Sequence, residues 1–316
     1  MNGKIIFLVT LSFCFCIPGS AQIDWGEQVI EVGFFDDTST YRFISDTSLY
    51  NEGWYLLPQV RFWRMVVNLD PEYSLLNIAD TREVLSSLQT WTYDDLSLKQ
   101  RRRYKDSVRV KFDLTPRTKL WVTQGRKDYY QIAKILPDIH RAIAIFLEEN
   151  TDPWYAQSIL LIESPGEMRV SPVGAKGPFQ LMGEVAISVG LEVNERIDER
   201  RFFGPSARGA ARYLSMICIP AARKIMEYHD IPYQENELWF RLFVLHIYHA
   251  GPNNMRRVMR YKKPKNGGMD LIQELWQTNY RSFGNASQNY SQITLAALLE
   301  LEQIVYQKKG FFIPSP

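Results

Sequence analysis

The residues whose types and spacing could do chemistry lie mostly between positions 150 and 255. Asp152-Pro153 joins an acidic cap to a proline suited to a first helical turn, and the apolar run Trp154 to Glu163 follows, stopped by Ser164-Pro165-Gly166. Glu163 therefore ends a buried helix. The negative end of a helix and apolar surroundings both disfavour an ionised carboxyl, so its pKa should rise toward what a general acid needs near neutral pH. A lone glutamate at a helix end is ordinarily exposed and inert, so this reading depends on what surrounds it. His246 and His249 stand three apart on an expected helix, a spacing that can present two imidazoles to a metal. With two other histidines in the chain and no adjacent Cys or carboxylate pattern, no metal site and no cofactor are expected. No nucleophile elbow, phosphate-binding loop or dinucleotide fingerprint is present.

Three further blocks follow Glu163-Ser164 in order. Ser171-Pro172-Val173-Gly174-Ala175-Lys176-Gly177-Pro178-Phe179-Gln180-Leu181-Met182 is a glycine-punctuated turn, expected to feed a helix that Pro178 starts and Gly190 ends. Asp198-Glu199-Arg200-Arg201 leads to Ala210-Ala211-Arg212-Tyr213-Leu214, and Tyr248-His249-Ala250-Gly251-Pro252 comes last. In this order the blocks resemble the lytic transglycosylase domain of the lysozyme-like superfamily, most nearly its membrane-bound lytic transglycosylase D branch. The resemblance covers about residues 150–260. It implies a peptidoglycan glycan strand as substrate and Glu163 as the catalytic acid/base. It also implies substrate-binding positions at Ser164, Ser171, Gln180, Met182, Tyr213, Tyr248 and His249. Tyr248 matches the family tyrosine that approaches the acid, and Tyr213 fits either packing behind the site or ligand contact. Two departures stand out: the interval from Glu163 to Gly174 is one residue short of the family spacing, and His249 replaces the usual asparagine.

In the family reaction one carboxyl protonates the glycosidic oxygen between N-acetylmuramic acid and N-acetylglucosamine. The resulting carboxylate then takes the proton of the muramyl 6-hydroxyl, giving a 1,6-anhydro product. A hydrolytic muramidase would use two carboxylates, for which Glu167, Glu184 and Asp198 are the candidates. A weakly catalytic glycan-binding scaffold that retains the cleft is the alternative from outside the enzymes.

These residues need elements to hold them. Beyond residue 115 the apolar spacing is helical nearly throughout: residues 128–147 read as one long helix kinked at Pro137, 270–276 as a short helix, and 291–306 as a longer one packing on the catalytic domain. Asp70-Pro71 with Leu75, Leu76, Ile78, Ala79 and Val84 to Leu88 also reads as helix. Upstream, residues 28–35 and 40–44 suggest a short hairpin in an otherwise irregular stretch. The basic run of residues 99–105 reads as a solvated helix face. The expected fold is thus mainly α, a lysozyme-like helical domain (116–262) behind a smaller mixed or irregular N-terminal region (22–115). Helices packing on that domain and a tail from Lys308 complete the chain (263–316).

The 316 residues are 46% hydrophobic and 23% charged, which excludes disorder and leaves enough chain for a sizeable core. Lys plus Arg (37) nearly equals Asp plus Glu (35), so no bulk positive field favours nucleic acid as a partner. Residues 1–21 read as a cleaved export signal, with Lys4, an apolar run and Gly19-Ser20-Ala21. Bulky Phe13 before Cys14 disfavours a lipid anchor. Past the signal only Cys218 remains, which excludes an intrachain disulfide in the mature chain. The resemblance implies the periplasm of a Gram-negative bacterium, where a monomer is expected and residues 22–115 are free to meet a cell-envelope protein.

Overall fold

A computed structural model describes residues 24–34, 37–164, 171, 173–307 and 311–313 of the chain. The expected signal segment, Glu167 and part of the expected tail lie outside the described residues. The structure is 59% helical and 13% strand, a mainly α fold.

The β-branched and aromatic N-terminal residues form an antiparallel hairpin, β1 (Val29–Phe34) and β2 (Asp37–Ile44), with Val29 opposite Ile44 and Gly33 opposite Thr40. The outer edge of β1 is covered by β6 (Phe311–Ile313), pairing Glu31 with Ile313. Three residues expected in the C-terminal tail therefore close a three-stranded sheet, because an edge strand supplies unpaired backbone groups to a Phe-Phe-Ile segment of high strand propensity. Helix α1 (Ser48–Asn51) and helix α2 (Pro58–Asn68) follow, the latter started by its proline and burying Phe62, Trp63 and Val66.

Residues 73–89, expected to be helical, are instead strands β3 (Tyr73–Ile78) and β4 (Val84–Gln89). The central strand is buried without a break from Ser74 to Asn77, so it does not show the two-residue alternation of a half-exposed strand. Arg82 makes the connecting turn at φ +62°. Helices α3 (Thr90–Asp94) and α4 (Leu98–Lys111) come next, α4 opened by a capping box between Ser97 and Gln100. Lys99, Arg102 and Arg103 of the basic run are exposed on it. Strand β5 (Leu120–Gln124) then pairs with β3 to give the order β4-β3-β5. Of the two forms expected for the N-terminal region, mixed or irregular, the structure shows the mixed one, and β5, beyond residue 115, pairs within it. The chain leaves β5 through Gly125, where an added Cβ would lie 2.3 Å from the Leu69 carbonyl oxygen. That close approach lets Arg126 N–H donate to the Val66 carbonyl at 2.8 Å, seaming the unit to α2.

Pro137 does not kink a long helix. It lies in the first turn of α5 (Leu136–Glu148), where its missing N–H costs nothing, and residues 132–135 form a separate tight turn. The rest of the chain is α6 (Trp154–Glu163), α7 (Gly183–Ser188), α8 (Phe203–Tyr213), α9 (Ile219–Tyr228), α10 (Leu238–Ala250), α11 (Pro252–Lys262), α12 (Gly268–Gln277) and α13 (Asn285–Gln307). A π turn at Leu214–Cys218 joins α8 to α9 ahead of Pro220. Pro178 stands in a turn before α7 rather than starting it, while Gly190, at φ +89°, follows its end.

The main apolar core runs from Val32 to Val305 and takes in β1, β2, α5, α6, α8, α10 and α13, with two smaller clusters around Phe62 and Leu76. At its centre, every residue of α6 from Trp154 to Ile162 is buried. Because α6 has no solvent face, its ends are fixed by polar contacts. At the N-terminal end Asp152 accepts from Trp154 N–H at 3.0 Å, while Arg241 Nε donates to the other Asp152 oxygen at 2.8 Å. The Arg241 guanidinium also pairs with Asp46 at 3.6 Å, donates to Gln28 and lies over the Trp154 ring. The Gln157 side chain, wholly buried, serves as a strand partner for β2: its amide donates to the Ile44 carbonyl at 2.9 Å and accepts Ile44 N–H at 3.0 Å. Removing one member of a buried ion pair strands the other charge. Arg241→Ala is accordingly expected to lower unfolding free energy by about 3–5 kcal/mol in urea denaturation, and a loss under about 1 kcal/mol would contradict this anchoring role.

Candidate active site

Glu163 is the last residue of α6, and its carboxyl accepts a hydrogen bond from the Tyr290 hydroxyl at 2.9 Å. The residue is half-buried: most of its surface lies against protein, and the rest faces one pocket. Burial raises its pKa from the ordinary value of 4.5 to about 7, and the hydrogen bond from Tyr290 pulls in the opposite direction by favouring the carboxylate. A carboxyl so poised exists in both protonation states near neutral pH, which is what a group that first gives and then takes a proton requires.

The turn at 173–182, which faces the acid, is held by polar contacts. Ser164 leaves the helix with Oγ donating to the Pro178 carbonyl at 3.0 Å, tying the end of α6 to the 177–180 turn. Gly177 sits at φ +79°, and an added Cβ there would lie 1.7 Å from the Arg200 carbonyl oxygen. Gln180, at φ +46°, donates its side-chain amide back to the Gly177 carbonyl at 2.9 Å. Arg200 donates to the Gly174 and Leu181 carbonyls at 3.0 and 3.1 Å, and Asp198 holds it through two contacts of 2.8 Å. Lys176 meets the same carboxylate at 3.1 Å. Hydrogen bonds from Arg200 lead the effects that take the Asp198 carboxyl down to about 2. It is thus a clamp for the loop and a poor proton donor. Of the other candidates for a second carboxylate, Glu184 is exposed on α7 and Glu167 lies outside the described residues.

The pocket over Glu163 has a volume of about 350 Å³ and brings together Glu163, Ser171, Gln180, Met182, Tyr213, Tyr248 and His249. Seven of the eight residues expected at the site thus converge, from segments as far apart as α6 and α10. The eighth, Ser164, is buried behind the wall in its bond to Pro178. Among the described residues Glu163 is the only carboxylate on the lining. Met182 is 43% exposed at the rim, an apolar surface open to a ligand.

The roles of the tyrosines differ from expectation. Tyr248 lines the pocket, but its hydroxyl donates to the Phe179 carbonyl at 2.6 Å and so braces the loop. The tyrosine that reaches the carboxyl is Tyr290, on α13 and 127 residues away in the chain, where no local motif marks it. His249 stacks on the Tyr290 ring at 4.6 Å and 24°, and Tyr213 packs against Tyr248 at 5.4 Å. Tyr129 likewise belongs to no sequence motif, and its hydroxyl donates to the Ile162 and Glu163 carbonyls at 3.2 and 3.4 Å, covering backbone acceptors at the end of α6.

His246 and His249 do not converge. The first is wholly buried, with Nε2 2.9 Å from the Ser291 hydroxyl, and burial pushes its pKa down to about 3. Among the described residues no group of three His, Cys, Asp or Glu side chains could hold a metal ion. Cys218 is buried beneath Tyr213, and burial pushes its thiol up, leaving it protonated and inert.

The raised pKa of Glu163 also acts on stability. Folded Glu163 keeps its proton to higher pH than the unfolded chain does, so the stabilisation present below pH 4.5 is lost as pH rises through about 7. Glu163→Gln removes this loss, and urea denaturation should find the variant gaining roughly 1–3 kcal/mol on wild type between pH 4.5 and pH 8. A stability difference that does not change with pH would contradict the shift. Comparison of the chain with family models, curated proteins and solved structures returns no significant match, so the functional reading rests on the chemistry of this site.

Proposed function

We propose that the protein is a peptidoglycan lytic transglycosylase whose catalytic domain is lysozyme-like and whose single acid/base is Glu163. The observation that carries this reading is the convergence of the ordered sequence blocks on one pocket around a half-buried carboxyl poised near pH 7. A glycan strand in that pocket would lie against Met182 and the polar ends of Gln180 and Ser171. Protonated Glu163 gives its proton to the glycosidic oxygen, and the bond from that oxygen to C1 of the muramyl residue breaks. The carboxylate left behind, favoured by the hydrogen bond from Tyr290, then takes the proton of the muramyl 6-hydroxyl as that oxygen bonds to C1. Glu163 ends reprotonated, and no water is consumed.

A single carboxylate on the described lining favours this course over hydrolysis, which ordinarily uses two. The reading implies export to the periplasm, consistent with the signal-like first 21 residues.

Mass spectrometry of muropeptides released from purified sacculi tests the reaction. The expected products are lighter by one water than reducing-end muropeptides, and Glu163→Gln should slow their release by about 10²–10⁴-fold. Reducing ends would mean a muramidase. Turnover unchanged in the variant, or no release by wild type, would overturn the assignment to Glu163 or to an enzyme. The rate should also fall as pH rises through about 7, where Glu163 loses the proton it must donate.

A further inference from the structure

A second cavity, of about 490 Å³, opens between the first turns of α13 and the β4-β3-β5 unit, and the proposed reaction makes no use of it. Asn289, on its wall, is the sequence neighbour of the Tyr290 that holds Glu163. Two arginines, Arg82 and Arg126, line it with Trp63 and Trp121, and its described lining contains no acidic residue.

Arg82 is 4% exposed, and its guanidinium lies 4.4 Å over the Trp121 ring and 5.2 Å over the Phe62 ring. Its Nη2 donates to Asn289 Oδ1 at 2.7 Å, and Asn289 in turn donates to Asn285 at 3.0 Å. Among the described residues it has no carboxylate at ion-pair distance, Asp80 being the acidic neighbour that acts on it through space. Its Nε and Nη1 have no hydrogen-bond partner among the described residues, and neither is sealed from solvent. A cation withdrawn from water without a counter-ion is unfavourable, and burial accordingly pushes its pKa down to about 10. An anion entering the cavity would relieve that cost. Arg126 is exposed and without an ion pair among the described residues, and the first turn of α13, at Asn285 and Ala286, adds the positive end of a 23-residue helix.

The cavity is also shaped for an extended chain. Strand β5 is an edge of its sheet, and four consecutive residues of it, 121–124, border the cavity. Successive side chains point to opposite faces of a sheet, so a border of four consecutive residues is the edge of the strand itself. An edge strand offers backbone groups to an added peptide.

We propose that this cavity receives a short peptide along the edge of β5, with the peptide's terminal carboxylate gripped by Arg82 and Arg126. Resting on the transglycosylase reading, the peptide is one carried by the glycan strand. Calorimetric titration of the full-length chain tests this with four probes: a peptide-bearing muramyl disaccharide, its C-terminal carboxamide, the free peptide acid and inorganic phosphate. Each is run on wild type, Glu163→Gln, Arg126→Gln and Arg82→Gln. Amidation should weaken binding at least about tenfold in wild type and in Glu163→Gln, and either arginine substitution should erase that difference. Should Arg82→Gln fail to fold by circular dichroism, Arg126→Gln, at an exposed position, decides the matter alone. Equal binding of acid and amide, an acid preference that survives Arg126→Gln, or phosphate competing as well as the peptide acid would overturn the proposal. If the transglycosylase reading fails instead, the free peptide acid still binds through Arg126 while no glycan is cleaved. If only this proposal fails, cleavage persists and the acid preference is absent.

Discussion

Placing the carboxyl of Glu163 at the C-terminal end of the buried helix α6 sets an electrostatic problem that much of the surrounding structure answers. Burial against an apolar core disfavours ionisation, and the pKa rises to about 7. A fully apolar enclosure would push the group further and leave it unable to act as a base. The one hydroxyl donated by Tyr290 keeps the carboxylate accessible, and the balance between burial and that single bond gives the residue its two-way proton chemistry.

Such a balance needs fixed distances, and the supporting contacts supply them at both ends of α6. The buried Asp152–Arg241 pair anchors the N-terminal end, with Gln157 locking the middle of the helix to β2. At the other end, Ser164 and Tyr248 brace the 177–180 turn through its carbonyls, while the Asp198–Arg200–Lys176 cluster holds the loop from beneath. These side chains stabilise positions more than they touch a ligand. Tyr248 illustrates the distinction, since its ring lines the pocket but its hydroxyl is committed to Phe179.

The legible part of this arrangement was local in the chain. Asp152-Pro153 and Ser164-Pro165-Gly166 bracket a helix within a dozen residues, and the turn from Ser171 to Met182 announces itself by its glycines and prolines, so Glu163, Gln180 and their neighbours could be found in order. Tyr290 could not, because a tyrosine near the start of a helix has no motif and meets the acid only after 127 residues of intervening chain have folded. The same limit governs the errors in the fold. Strand β3 hid its alternation because both faces are covered, and the Phe-Phe-Ile segment becomes a strand only because β1 presents an open edge nearly the whole chain away. Pro137 was compatible with a kink or a start, and the tight turn before it decides for the start.

The balance at Glu163 is measured most directly by following its side-chain carboxyl carbon by NMR across pH in glutamate-labelled protein, with Glu163→Gln identifying the resonance. The account predicts a midpoint near 7 that moves upward in Tyr290→Phe, where the hydrogen bond favouring the carboxylate is gone. A midpoint near 4.5, unmoved by Tyr290→Phe, would contradict it.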